Sequence, residues 1–109
     1  MFRDDAQRAR VCKVLLTRVP RRIAEAWNGD PGPGDLAHHD LHGCSTYERV
    51  MVGIAMQLWT GGIKDTRWDV RLDDLFGLDG TNLRLVGTFV VALGRDSRQI
   101  DAWLLENEP

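Results

Sequence analysis

The sequence predicts a compact all-α domain of four or five helices spanning residues 1–109. Three observations carry that expectation. An amphipathic stripe runs through the first segment. A capping box precedes an all-apolar run at residues 45–60, and a second capping signal stands ahead of the last apolar stripe. An α+β fold with residues 82–93 as a strand is the alternative.

In the first element Val11, Cys12, Leu15, Leu16 and Val19 recur at helical spacing. Ile23 and Trp27 prolong the stripe, and Arg and Lys hold most of the other side. Asp4 and Asp5 suit the positive N-terminal end of a helix dipole. Pro20 lacks an amide proton and clashes with the preceding turn, so it kinks this helix or begins a second. Asn28-Gly29 is the expected stop. Asp30-Pro31-Gly32-Pro33-Gly34 cannot continue a helix, which leaves residues 29–44 as a loop.

The next element has the clearest local signal. Ser45 can accept from the amide of Glu48, while the Glu48 carboxylate reaches back to the amide of Ser45. From Val50 to Trp59 the chain is apolar on nearly every side, and a helix of that kind is buried all round. It is expected at the centre, with Met51, Ile54 and Leu58 enclosed, the first helix laid across it, and Gly53 admitting a close neighbour. Gly61 and Gly62 end it.

Residues 63–71 are weakly patterned. Trp68, Val70 and Leu72 alternate like a short extended piece. Thr66 or Asp69 can instead cap a short helix carrying Leu72, Leu75 and Phe76, with Gly77 at its end. Residues 81–94 carry two patterns. Leu83, Leu85, Phe89, Val91 and Leu93 alternate like a strand, whereas Leu83, Val86, Val90 and Leu93 form a helical stripe between a cap at Asp79 or Thr81 and a stop at Gly94. The length favours a helix, because a strand there would find few partners. Asp96-Ser97-Arg98-Gln99 opens the last helix, with Ile100, Trp103 and Leu104 on its apolar side. Glu106 and Glu108 lie at the wrong end for the dipole, which predicts a fraying last turn.

Of the 109 residues, 43% are hydrophobic and 28% charged, which argues against disorder. No apolar run reaches the roughly 18 residues of a membrane span, so no membrane partner is expected. The start, Met1-Phe2-Arg3-Asp4-Asp5, lacks the apolar core of a secretory signal. Cys12 and Cys44 make no disulfide framework. They read as small core residues in a reducing, cytoplasmic compartment. Net charge is −2 but uneven: residues 1–28 carry seven basic and three acidic side chains, the remainder seven and thirteen. Such asymmetry fits nucleic-acid contact, docking on an acidic surface of the chain itself or of a partner, or simply a solvated basic face, the last being favoured.

Five side chains of metal-ligating type, His38, His39, Asp40, His42 and Cys44, lie within seven residues. Their spacing matches no zinc module, and ligands for a structural site normally come from two separated segments. A polar approach to the capped helix is the favoured reading, and no cofactor is expected. Cys44 and Ser45 beside histidines invite a nucleophile–base reading, but Ser45 is already the N-cap. No nucleophile elbow, phosphate loop or dinucleotide fingerprint is present. A protein without catalysis is expected.

Residues 72–90, LDDLFGLDGTNLRLVGTFV, resemble a helix-turn-helix: Leu72, Phe76, Gly77, Leu78, Leu83 and Val86 fall where that motif places its core residues and turn glycine. The resemblance implies a DNA-binding regulator, with phosphate contacts from the basic face of residues 3–22. It departs at Asp73, where a small residue belongs, and Arg84 is the only basic side chain on the would-be recognition helix. An ordinary helical hairpin with a core second helix is favoured.

Trp68 stands in KDTRWDVR, a large aromatic among charges, the pattern of an interface anchor. The sequence therefore points to a small interaction or regulatory module, adaptor-, antitoxin- or inhibitor-like, that binds another protein or its own copy as a homo-oligomer. Its expected surface combines Arg3, Arg10, Lys13, Arg18, Arg21 and Arg22 with Lys64, Arg67 and Trp68.

Overall fold

Pro20 divides the N-terminal apolar stripe into two helices. The structure, a computed structural model, describes residues 1–27, 41, 43–60 and 68–109. Helix α1, Asp5–Leu16, begins at Asp4, whose carboxylate accepts from the Gln7 amide, and closes at Thr17. Helix α2, Arg21–Ala26, starts on Pro20 itself. The Pro20 carbonyl accepts from the amides of Ile23 and Ala24 at 2.9 and 3.1 Å. At the start of a helix its missing N–H is no loss.

Helix α3, Thr46–Thr60, opens on the expected capping box. The Ser45 amide donates to Glu48 Oε1 at 2.7 Å and the Glu48 amide to Ser45 Oγ at 3.3 Å. A turn leads in, with the Cys44 amide donating to the Leu41 carbonyl at 3.0 Å. Gly43 in that turn has φ +87°, a conformation that suits glycine. A 3-10 helix, Leu72–Gly77, follows, then α4, Gly80–Leu93, and α5, Ser97–Asn107. Both late helices carry acidic caps: Asp79 Oδ1 accepts from the Asn82 amide at 2.8 Å, and Asp96 Oδ1 from the Gln99 amide at 3.0 Å.

The fold is all-α. Among the described residues there is no strand, and residues 82–93, the alternative strand, are helical. The broadest helix contact joins α1 and α3. The α4–α5 hairpin folds against them through the contact of α5 with α1. Its radius of gyration is 12.9 Å, close to the ~13 Å of an ordinary hundred-residue domain. Leu15, Leu16, Ile23, Met51, Val52, Phe89, Ile100 and Leu104 form the fully buried centre, each such side chain contributing roughly 1.5–3 kcal/mol by leaving water. From Val50 to Thr60 every residue is buried or half-buried, including Met51, Ile54 and Leu58. The enclosed spine is therefore present.

Gly53 does admit a neighbour: a Cβ there would lie 2.8 Å from Val70 Cγ2 and 3.3 Å from the Trp68 carbonyl. The residues before the 3-10 helix are thus pressed onto the α3 backbone. Two expectations are corrected. Glu108 is not on a fraying turn, because Arg10 pairs with it and Asn107 Nδ2 donates to the Trp103 carbonyl at 2.8 Å. On α4 the buried side is Asn82, Leu85, Val86, Phe89 and Ala92, while Leu83 and Val90 of the expected core stripe face solvent. No helix among the described residues is long and apolar enough to cross a membrane.

Candidate functional site

The basic side chains of α1 meet acids of this same chain. Arg3 Nη1 donates to Asp101 Oδ2 at 2.7 Å. Arg10 Nε donates to Glu108 Oε2 at 3.1 Å, and its Nη2 pairs with Oε1. Between them Gln7, 1% exposed, uses its whole side-chain amide. Its Nε2 donates to the Ser97 carbonyl at 2.8 Å and to Asp101 Oδ1 at 3.0 Å, and its Oε1 accepts from the Arg3 amide at 2.7 Å. Hydrogen bonds from Arg3 and then Gln7 hold the Asp101 carboxyl below its usual range. Glu108 raises Arg10 through a hydrogen bond, and Asp101 does the same to Arg3. Of the three readings of the charge asymmetry, docking on an acidic surface of the chain itself is what Arg3 and Arg10 do.

The remaining residues of the expected surface are scattered. Arg21 pairs with Glu25 at 2.6 Å within exposed α2. Arg22 Nη2 approaches Cys44 Sγ at 4.0 Å. Lys13 is exposed on α1. Arg18 lines a cleft of about 480 Å³ with Gly80, Thr81, Arg84, Thr88 and Glu106. Lys64 and Arg67 lie outside the described residues, as do His38, His39, Asp40 and His42. Trp68 corrects the sequence reading. It is 5% exposed and belongs to the core, so its indole is not an exposed anchor. Its backbone is held on α3, where the Trp68 carbonyl accepts from Gln57 Nε2 and lies beside Gly53.

Cysteine chemistry is muted. Cys12 is buried on α1 and its thiol donates to the Ala55 carbonyl on α3 at 3.3 Å. Burial pushes its pKa up to about 12, leaving a neutral core residue. Cys44 is half-buried, and both cysteines are free. Among the described residues no group of three or more His, Cys, Asp or Glu is placed to hold a metal.

The surface the sequence reading missed lies on the 3-10 helix and α4. Leu72 is 78% exposed, Phe76 81%, Leu83 42%, Val90 58% and Val91 59%. The phase of α4 exposes the last three of these. Phe89 stacks on Phe2 at 5.9 Å and meets the Trp103 ring edge-on at 5.3 Å. Trp103 Nε1 donates to Thr88 Oγ1 at 3.0 Å. These contacts anchor the Leu85–Phe89–Ala92 side inward and turn Leu83 and Val90 outward. Beside the apolar face the cleft of Arg18, Arg84 and Glu106 supplies polar groups of both signs. The helix-turn-helix resemblance does not extend to the structure. Its first element is one six-residue 3-10 helix, and a fold of that motif needs a full first helix to cross the backbone.

Comparison of this chain with protein-family models, with curated proteins and with solved structures finds no match.

Proposed function

We propose that this chain is a small interaction module that acts by surface contact with a protein chain, another protein or its own copy. The contact face is the solvent side of Leu72–Gly94. One observation carries the reading: of the eight large apolar side chains exposed among the described residues, five, Leu72, Phe76, Leu83, Val90 and Val91, fall within this one segment. An apolar centre beside a polar cleft is the common anatomy of a protein interface. The expected role of Trp68 passes to Phe76 and Val90, and that of the basic face to Arg18 and Arg84 on the cleft rim. Two free thiols suit a reducing compartment, so the cytoplasm belongs to the proposal.

A photo-crosslinking side chain at Val90, introduced in the native host, tests the reading. Covalent adducts to a protein are expected at Val90 and at Phe76, and none at Glu25 on exposed α2. The absence of any protein adduct at both test positions would sink it. Duplex DNA has less support as a partner, since Arg3, Arg10 and Arg21 are engaged by Asp101, Glu108 and Glu25.

A further inference from the structure

We propose that the solvent face of α4 pairs with the same face of a second copy of this chain, antiparallel, about a twofold axis at Gly87. The inference rests on the reading of Leu72–Gly94 as a contact face and names its occupant. Along α4, Gly80, Leu83, Gly87, Val90 and Gly94 recur at alternating steps of three and four residues, which aligns them on one stripe. All five are exposed. Leu83 and Val90 are the apolar part of that stripe, and Val91 widens it. A Cβ added at Gly80 or Gly87 would meet nothing within 4 Å. Packing within the chain therefore gives no reason for glycine at position 87, although a glycine inside a helix costs about 1 kcal/mol relative to alanine. A helix approaching from outside supplies the reason.

The stripe itself selects a second copy. Reversed about Gly87 it reproduces its own pattern: Gly80 falls against Gly94, Leu83 against Val90 and Val91, and Gly87 against itself. An isologous twofold contact demands such self-complementarity, and an unrelated partner does not. Charge agrees. Around the start of α4, Asp73, Asp74 and Asp79 outnumber Arg71, while beyond its end Arg95 and Arg98 outnumber Asp96. Arg84, Arg95 and Arg98 make no ion pair with any described residue. Antiparallel pairing sets the acidic end of one helix on the basic end of the other, whereas parallel pairing sets like on like. Glycine against glycine lets the axes approach to the short end of the roughly 8–10 Å range of packed helices. Leu83 of one copy then lies beside Val90 of the other. The fourteen residues of α4 reach only about 21 Å, so the contact is small and the dimer weak, in the micromolar range.

Sedimentation velocity of the full chain between about 5 and 200 µM spans that range, and a dimer fraction rising with concentration is expected. Gly87→Gln adds a side chain into open space, so it retains helicity and thermal stability yet weakens dimerisation by about tenfold or more. Cysteine pairs then read the register in a Cys44→Ser background under mild oxidation. Gly87→Cys crosslinks with itself. Gly80→Cys alone does not, because its two copies stand about 21 Å apart. A mixture of Gly80→Cys and Gly94→Cys chains does crosslink. A wild-type chain that stays monomeric throughout, or a Gly87→Gln chain that dimerises unchanged, overturns the inference. Self-crosslinking of Gly80→Cys overturns the antiparallel register. A monomeric chain that still forms adducts at Val90 with another protein removes the second copy and leaves the contact-face reading standing. A monomer without adducts removes both.

Discussion

Helices α1 and α4 make opposite use of their composition. α1 carries Arg3, Arg8, Arg10 and Lys13 on or beside it, yet seven of its twelve residues are buried and most of its charges have partners within the chain. α4 is nearly charge-free, with Arg84 alone, yet it leaves Leu83, Val90 and Val91 in water. Apolar content therefore does not rank these helices by burial. What faces each one does: α1 packs broadly on α3 and also on α5, whereas among the described helices the main contact of α4 is with α5. Even the charge of Arg8 is absorbed, its guanidinium lying 5.4 Å from the Phe2 ring centre and 6.0 Å from that of Trp59.

The largest effect that sharpens this contrast is expected from truncating the two helices alike. Leu15→Ala, at a fully buried position on α1, is expected to cost about 2–5 kcal/mol in urea unfolding. Val90→Ala on exposed α4 should stay within about 0.5 kcal/mol. Equal losses would erase the distinction. The glycines make the same comparison with opposite signs. Gly53→Ala drives a methyl into Val70 and the Trp68 carbonyl and should destabilise by about 1–3 kcal/mol. Gly87→Ala, in open space, should stabilise the folded chain by up to about 1 kcal/mol. Both are read by denaturant midpoints at low protein concentration.

Two smaller effects depend on pH. The folded state holds the Cys12 thiol neutral to about 12, against an ordinary value of 9.0. Above that ordinary value the unfolded chain ionises and the folded chain does not, so stability falls as pH rises from 9 toward 12. Cys12→Ala, although less stable at neutral pH, should show a shallower decline over that window, and a native thiol reagent should label Cys44 ahead of Cys12. For Asp101 the shift is downward and the sign reverses. Its contribution is present above the ordinary carboxyl value of 3.8 and is lost as pH falls through the depressed one. Asp101→Asn is expected to lower the melting temperature only slightly at neutral pH, since the group is exposed, and to flatten the acid limb of the stability profile.

Much of the fold was legible because its signals are local. The Ser45–Glu48 box, the Asp79 and Asp96 caps and the break at Pro20 each depend on residues within one turn, and each is where the sequence places it. The phase of α4 was not legible. Leu83–Val86–Val90–Leu93 and Leu85–Val86–Phe89–Ala92 are both helical stripes, and the choice is made by Phe2 and Trp103 from distant parts of the chain. The burial of Trp68 was hidden because its carbonyl is tied to Gln57 and Gly53 of α3, a tertiary contact that the charged residues flanking it in sequence do not reveal. Gln7 could have been found: it sits four residues before Val11 and eight before Leu15, a polar side chain on an apolar stripe. The contact face went unread because an apolar helix reads as core until its neighbours are known.

The clasp between Arg3 and Asp101 joins positions ninety-eight residues apart, whereas α4 and α5 are linked by only a short turn. Contacts of high sequence separation close late, because most of the chain must be ordered before its extremities meet. Refolding is therefore expected to assemble the C-terminal hairpin early and to seat the N-terminal helix on it last. Weakening the Arg10–Glu108 pair should then quicken unfolding while leaving the refolding rate nearly untouched.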